Sequence, residues 1–242
     1  MAFNYSPKII TDGLVLYLDA ANTRSYPTTG TTWSDLSRSG NNGTLINGPT
    51  FNSANGGSIV FDGVNDYVDC GSSTNLNFGI FNYTLNVWFR TNTNTRRTIL
   101  SRFDYDGIGV IERGYYIDVL STGKIRTAFE TNGNNFRITD SLTSVNTNSY
   151  FYVTAVRTNQ TTISVYVNGT FETSNTLING TPTNINTVTA PFSVGLRSDY
   201  QTPTFTNYFV GSVANVKIYN RALSATEVLQ NYNATKGRFG LT

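Results

Sequence analysis

The sequence predicts an all-β fold, a two-sheet antiparallel sandwich or jelly roll, that ends in one short helix. Short runs of β-branched and aromatic residues recur along the chain at spacings of about 8 to 12 residues, without a regular alternation of strands and helices. Asn and Thr are abundant, as is typical of turns and exposed strand faces, whereas only 13% of the residues are charged. At 242 residues, the chain is long enough for one large domain with its own core.

The first third of the chain is predicted to contain an arm followed by short strands. Residues 1–12 form the arm, and residues 13–242 form a single domain. Turn residues rich in Gly, Asn and Asp separate the apolar runs, so each run is too short for a core helix. The strands predicted in this part span residues 14–18, two short runs between 33 and 47, and the hairpin-like pair 58–62 and 66–69.

The run 83–90 has the clearest alternation in the chain. Its apolar face carries Tyr83, Leu85, Val87 and Phe89, and its polar face carries Thr84, Asn86, Trp88 and Arg90. Trp88 is therefore a large aromatic residue on a face that is otherwise polar. Further strands are predicted at 98–103, 115–120, 124–130, 136–140, 150–157, 161–167, 170–173, 192–196 and 206–219, and a long surface loop at 174–190.

A helix is predicted directly after the last strand. Ser224 supplies an N-cap hydroxyl and Glu227, three residues later, completes a capping box. Leu223 and Val228 occupy the two positions of a hydrophobic staple, so independent local rules agree on where the helix begins.

Five motifs follow one another along almost the whole chain. They are GLVLYLDA at 13–20, SIVFDGVNDYVD at 58–69, YTLNVWFR at 83–90, ISVYVNG at 163–169 and GSVANVKIYNRALSATEV at 211–228. In this order they resemble the laminin-G-like branch of the concanavalin-A-like lectin and glucanase superfamily. The resemblance implies a concanavalin-A-like jelly roll in which the first strand lies beside the strand at 213–219.

The stretch WSDLSRSGNNGTLINGPTF at 33–51, followed by GGSIVFDGVNDYVD, resembles the version of this domain found in structural proteins of tailed bacteriophages. This implies a virion component, such as a head decoration, a fibre or a tail-associated protein, that is assembled in the host cytoplasm. The start of the chain fits this, because it lacks the basic and apolar segments of a secretory signal peptide. Its partners would be capsid or tail proteins, with self-association into a homo-oligomer. The alternative is a soluble carbohydrate-binding lectin module outside a virion.

Composition argues against several other functions. The chain has no His, and none of its four Glu residues begins the E-x-D-x-E pattern that the resemblance implies for a glucanase, so we expect no enzymatic activity. A net charge of +2 favours neither nucleic acid nor an anionic membrane as a partner, and no run is long and apolar enough for a membrane helix. The lone Cys70 excludes a disulfide framework within the chain.

Two binding sites are predicted from residue chemistry. A surface polysaccharide would stack on aromatic rings and bond to polar groups, and the candidates for this are Trp88, Asn86, Arg90, Tyr115 and Tyr116. The alternative for Trp88 is that it packs beneath a covering segment. A calcium ion prefers oxygen ligands such as those of Asp62, Asn65 and Asp66 and is the only cofactor that these residues suggest, although their side chains could instead cap their own turn. The resemblance implies that family members that bind calcium often carry an aspartate on the final strand, where this chain has Ala214 and Asn215.

Overall fold

A computed structural model describes residues 7–105, 112–131, 135–176, 189–197 and 207–242. Within these ranges the chain forms sixteen strands and one α-helix. In chain order they are β1 (Leu14–Asp19), β2 (Thr32–Trp33), β3 (Gly43–Ile46), β4 (Thr50–Asn52), β5 (Ser58–Asp62), β6 (Tyr67–Asp69), β7 (Tyr83–Arg90), β8 (Arg97–Tyr105), β9 (Glu112–Val119), β10 (Lys124–Thr131), β11 (Asn135–Ser144), β12 (Tyr150–Thr158), β13 (Thr162–Val167), β14 (Thr170–Thr176), β15 (Ser193–Val194), β16 (Val210–Tyr219) and α1 (Ala225–Asn233). Short 3₁₀ turns span Ala54–Gly56, Thr74–Leu76 and Lys236–Phe239.

The strands form two antiparallel sheets, which confirms the predicted sandwich with one helix near its C-terminus. The first sheet has the order β14-β13-β12-β7-β16-β5-β4, and β1 also pairs with β16. The second sheet has the order β11-β10-β9-β8-β15-β6-β3-β2. The main core lies between them, where apolar side chains of β7 and β9 are fully buried in one cluster.

The last strand, β16, organises the first sheet. It pairs with β7 along one side, and along the other it pairs with β5 and then with β1. Asp19 lies opposite Asn215, so the predicted neighbourhood of the first and last strands is confirmed. Ala214 is the extra residue of a β-bulge against β7, and it packs with Trp88 on the outer face of the sheet.

The helix begins as predicted. The Ser224 hydroxyl accepts a hydrogen bond from the Glu227 amide at 3.3 Å, and the Ser224 amide donates to the Glu227 carboxylate at 2.9 Å. Leu223 and Val228 are buried in one cluster, as a hydrophobic staple requires. No helix among the described residues is long and apolar enough to cross a membrane.

Some element boundaries differ from the prediction. β14 continues to Thr176, inside the predicted 174–190 loop, and residues 177–188 lie outside the described ranges. Strand 192–196 shortens to β15 because only two of its residues pair with β6 and β8. Residues 7–12 of the predicted arm lie against α1, where the Ile10 amide donates to Asn231 at 2.8 Å. The division of the chain at residue 12 stays a prediction.

Candidate functional site

Trp88 does not lie on an open surface. It is 0% exposed, because α1 and the C-terminal 3₁₀ turn cover the outer face of the first sheet. The ring of Phe239 stacks on it with 4.2 Å between centroids, and its indole N–H donates to the Thr235 hydroxyl at 2.7 Å. In this structure Trp88 therefore packs beneath a covering segment, and a role for its ring in stacking a sugar stays a prediction.

The two polar neighbours of Trp88 are also engaged. Asn86 is buried, and its side-chain N–H donates to the Thr154 hydroxyl. Arg90 is half-buried, with its guanidinium 5.3 Å from the ring centroid of Tyr150. Strand alternation places Asn86, Trp88 and Arg90 on one face of the sheet. The C-terminal segment packs over that face and buries Trp88 in a second hydrophobic cluster.

The predicted tyrosine pair points in two directions. Tyr115 lies in the main core and its hydroxyl donates to the Leu76 carbonyl at 2.8 Å. Tyr116 lies on the outer face of the second sheet, beneath the guanidinium groups of Arg96 and Arg197. Both rings are buried and both belong to the other sheet from Trp88, so the structure does not bring the five predicted glycan-binding residues together.

The candidate calcium ligands cap their own turn. Asp62 Oδ1 accepts hydrogen bonds from the amides of Val64 at 2.8 Å and Asn65 at 3.4 Å, and the first of these bonds is the main cause that lowers the pKa of Asp62. Asp66 Oδ2 accepts from the Asp62 amide at 3.1 Å, while burial raises the pKa of Asp66. Across the described part of the chain, no group of three or more His, Cys, Asp or Glu side chains could hold a metal ion. The contacts are thus those of the turn-capping alternative.

A groove that sequence reasoning missed lies between the start of β1 and the loop 34–42. It has a volume of about 450 Å³, and its walls are formed by Thr11, Leu14, Leu36, Ser37 and Arg38. Small-molecule sites typically occupy about 300 to 1,000 Å³, so this groove is large enough for a sugar ring. A second cavity, beside Arg157, measures only about 10 Å³ and is too small for one.

Hydrogen bonds centred on Asp35 hold the loop of this groove in place. The Asp35 carboxylate accepts from the amides of Tyr17 at 2.9 Å, Ser37 at 2.8 Å and Asn41 at 3.0 Å, and from the Ser37 hydroxyl at 2.8 Å. The Leu36 amide also donates to the Tyr17 carbonyl at 2.8 Å, which fastens the loop to β1. Such a loop is pre-organised, so ligand binding would cost little ordering entropy. The motif Asp35-x-Ser37 could have indicated this turn, but a local motif does not show that the start of β1 forms the opposite wall of the groove.

Arg38 is the charged residue of the groove. It is exposed and makes no ion pair with any residue in the described ranges. Its backbone is left-handed, with a φ of 76°, a conformation that costs a non-glycine residue roughly 1–2 kcal/mol. Strain of this kind is often retained where a side chain serves a binding site. Because four donors already satisfy Asp35, the Arg38 guanidinium is left to face solvent and the groove.

The outer face of the second sheet carries a different polar layer. Arg96 pairs with the buried carboxylate of Asp118 at 2.6 Å, and Arg126 pairs with Asp140 at 2.8 Å. Each carboxylate therefore has a guanidinium partner. This pairing differs from the two cooperating carboxyl groups that retaining glycoside hydrolysis requires.

The comparisons with known proteins agree with this geometry. The family model for laminin-G-like domains of the concanavalin A-like lectin/glucanases superfamily matches residues 62–229. The chain belongs to this superfamily. The residues of the groove lie before residue 62, outside the matched range, so the family match does not describe them. No curated protein sequence matches the chain.

Several solved structures share the laminin-G-like fold of this chain at low sequence identity. The binding domain of Paraclostridial Mosquitocidal Protein 1 has a TM-score of 0.70 at 17% identity, covering 93% of this chain and 52% of that one. The receptor binding domain of botulinum neurotoxin C/D mosaic serotype has a TM-score of 0.67 at 15% identity, covering 92% and 51%. The binding domain of botulinum neurotoxin DC in complex with SialylT has a TM-score of 0.65 at 13% identity, covering 93% and 52%. The chain thus spans about half the length of these domains, and the likeness is one of fold.

Proposed function

We propose that this protein is a non-catalytic carbohydrate-binding module and that the groove between β1 and the 34–42 loop holds a sugar ring. The observation that carries the proposal is the combination of apolar and polar walls in one open groove. Leu14 and Leu36 offer apolar surface, whereas Thr11, Ser37 and Arg38 offer hydrogen-bonding groups. A pyranose has the same two characters, with C–H groups on its faces and hydroxyls at its edge.

Each polar residue of the groove has a defined capacity. Arg38 donates from a planar guanidinium, which binds two vicinal hydroxyls or a sugar carboxylate in a bidentate manner. The Ser37 hydroxyl donates to Asp35 and accepts from the Ser39 amide at 3.2 Å, so one lone pair of its oxygen is left to accept a bond from a sugar hydroxyl. The exposed Thr11 hydroxyl can donate or accept. The groove therefore matches the hydroxyl-rich rim of a sugar.

The family and its structural relatives support carbohydrate binding without deciding it. The superfamily contains lectins as well as glucanases. Among the structures of similar fold, one binding domain was solved in complex with SialylT, and another is described for its interaction with two ganglioside molecules. Those ligands bind to chains about twice as long as this one. The proposal that this chain binds a sugar therefore rests on its own groove.

The absence of catalysis is part of the proposal. Within the described ranges, Asp118 and Asp140 are each paired with an arginine, and Glu227 is paired with Arg221. Glu172 accepts from two main-chain amides, those of Leu142 and Thr143. These carboxylates serve structural contacts, which supports a binding protein over a hydrolase.

A place in a bacteriophage particle stays a prediction from the sequence. It includes the roles of head decoration, fibre or tail-associated protein, assembly in the host cytoplasm, contact with capsid or tail proteins, and self-association. Mass spectrometry of purified particles would test it, because a virion component should be present in a fixed ratio to the major capsid protein.

Glycan-array screening followed by calorimetry tests the binding role. The array should include neutral and carboxylate-bearing sugars, and the best ligand should then be titrated against wild type, Arg38→Gln and Arg24→Gln. Arg24 is also an exposed arginine but lies outside the groove, so it is the matched control. We expect Arg38→Gln to weaken binding by about tenfold or more, as loss of a charge-assisted hydrogen bond predicts, and Arg24→Gln to leave it unchanged.

Three results would contradict the proposal. The first is that wild type binds no sugar on the array. The second is that the two variants bind equally well, which would remove the groove from the site. NMR shift changes on titration should centre on residues 36–38, and changes centred on the second sheet would also exclude the groove.

A further inference from the structure

A buried arginine lies between the two sheets at the end of β12. Arg157 is only 1% exposed, and its guanidinium carbon lies 4.2 Å from the ring centroid of Phe129 and 5.9 Å from that of Tyr83. Burial lowers the pKa of Arg157, but a guanidinium remains protonated in proteins. The sandwich therefore encloses a full positive charge among aromatic rings.

Main-chain carbonyls accept hydrogen bonds from only some of the N–H groups of this guanidinium. Nη1 donates to the Gly79 carbonyl at 2.6 Å, and Nη2 and Nε both donate to the Gln160 carbonyl, at 2.9 and 3.3 Å. The second N–H of each Nη atom has no acceptor among the described residues. Gln160 has a positive φ of 63° in the turn between β12 and β13, so a left-handed backbone aims its carbonyl at Arg157.

No carboxylate in the described part of the chain pairs with Arg157. Other arginines of this protein do have such partners, including Arg96, Arg126 and Arg221. Buried charges in proteins are usually paired because an unpaired charge in a low-dielectric interior costs several kcal/mol. Carbonyl dipoles and ring faces reduce this cost, but they leave the net charge in place. Among the residues that the structure describes, Arg157 thus has no counter-ion.

A small cavity adjoins the guanidinium. It measures about 10 Å³, and Asn77, Gly79, Tyr83, Tyr115, Phe129 and Arg157 are among its lining residues. A space of about this size admits one particle the size of a water molecule. The Tyr83 hydroxyl is buried and has no hydrogen-bond partner in the described ranges, whereas the hydroxyl of its neighbour Tyr115 donates to the Leu76 carbonyl. N–H groups of Arg157 and the hydroxyl of Tyr83, which have no acceptor among the described residues, therefore border this small cavity.

We propose that this cavity binds one small monovalent anion, of the chloride class, between the Arg157 guanidinium and the Tyr83 hydroxyl. An anion accepts hydrogen bonds from all of these donors and supplies the missing negative charge. A water molecule would supply no charge and would bring two hydrogens that need acceptors of their own. The bound anion would join β7, β12 and the 77–79 loop at this end of the sandwich.

Denaturation in matched salts tests the anion site. Unfolding by urea should be followed at constant ionic strength while sodium gluconate, whose anion is too large for the cavity, is replaced by sodium chloride. Once chloride exceeds its Kd, each tenfold rise in chloride should lower the unfolding equilibrium constant by about tenfold. Bromide should act similarly, and crystals grown in bromide should show an anomalous peak between Arg157 and Tyr83.

Two tyrosine variants separate the site from a general salt effect. Tyr83→Phe should fold normally, because it removes a hydroxyl that bonds to none of the described residues, and it should lose most of the chloride response. Tyr152→Phe removes another buried hydroxyl in the aromatic cluster under the C-terminal segment, and it should keep the full response. Equal unfolding in chloride and gluconate, or equal chloride responses in the two variants, would overturn the proposal. A bromide-free cavity that holds water would overturn it as well.

Discussion

Glu227 makes two contributions to stability that a single substitution can separate. Its carboxylate accepts from the Ser224 amide as part of the capping box, and it pairs with Arg221 through two bonds of 2.6 and 3.0 Å. The hydrogen bond from Arg221 is the largest cause that lowers the pKa of Glu227 from 4.5 to about 2. Glutamine can replace glutamate in a capping box, but it cannot form the ion pair.

That pKa sets an upper limit on the ion-pair contribution, because Arg221 lowers the pKa of Glu227 most and hydrogen bonds from Ser224 lower it further. A shift from 4.5 to about 2 corresponds to roughly 3 kcal/mol for a shielded carboxylate, at about 1.4 kcal/mol per pH unit. The Glu227 and Arg221 side chains are 27% and 28% exposed, so solvent screening reduces this to about 1.5 kcal/mol. We therefore expect Glu227→Gln to lower the free energy of unfolding by about 1.5 kcal/mol at pH 7. Glu227→Ala should lose about 1 kcal/mol more, because it also removes the cap.

The pH dependence distinguishes the ion pair from other causes. Because the folded-state pKa lies below the unfolded value, the stabilisation is complete above pH 4.5 and is lost as the pH falls toward 2. Urea unfolding followed by circular dichroism should thus show wild type and Glu227→Gln converging between pH 4.5 and 2. Asp12→Asn is the control, since Asp12 contacts the same arginine but its side chain is 84% exposed, and it should change stability little. Two results would refute this reasoning. Wild type and Glu227→Gln could have the same free energy of unfolding at pH 7, or the difference between them could stay constant down to pH 2.

Three further outcomes are expected. Arg38→Gly should leave the free energy of unfolding in urea unchanged or raise it by up to about 1 kcal/mol, because glycine relieves the left-handed strain. Calorimetry should show that the same variant loses sugar binding. Burial lowers the pKa of Lys217 from 10.5 to about 8, so the contribution of Lys217 to the free energy of unfolding should rise as the pH rises from 8 toward 10.5. Lys217→Met should abolish that rise in urea titrations and stabilise the protein at pH 7 by up to about 3 kcal/mol. Phe239→Ala should red-shift the fluorescence of the uncovered Trp88 and cost about 1–2 kcal/mol, and an unchanged spectrum would contradict the stacking seen here.

Local sequence rules were sufficient for the elements. The alternation along 83–90 identified β7, and the Ser224 and Glu227 spacing identified the start of α1. Both are determined by residues within a few positions of one another, through strand pleating and hydrogen bonds to the first amides of a helix. The pairing of β1 with β16 needed the family resemblance, because nothing local connects residues two hundred positions apart.

The candidate site depended on contacts that a sequence does not display. Alternation shows that Trp88 lies opposite the main core, but the residues that bury it, Thr235 and Phe239, come from the far end of the chain. The groove likewise joins the segment before β1 to a loop more than twenty residues later, through bonds between Asp35 and β1.

By itself, the sequence determined the all-β class, most strands, the capped helix and the membership in a lectin-like family. The tertiary structure alone decided which aromatic rings are covered, which carboxylates are already bonded and where an open groove remains. The physical reason is that periodicity and capping act over one or two turns of chain. Burial and exposure of a side chain instead depend on which distant segments pack above it.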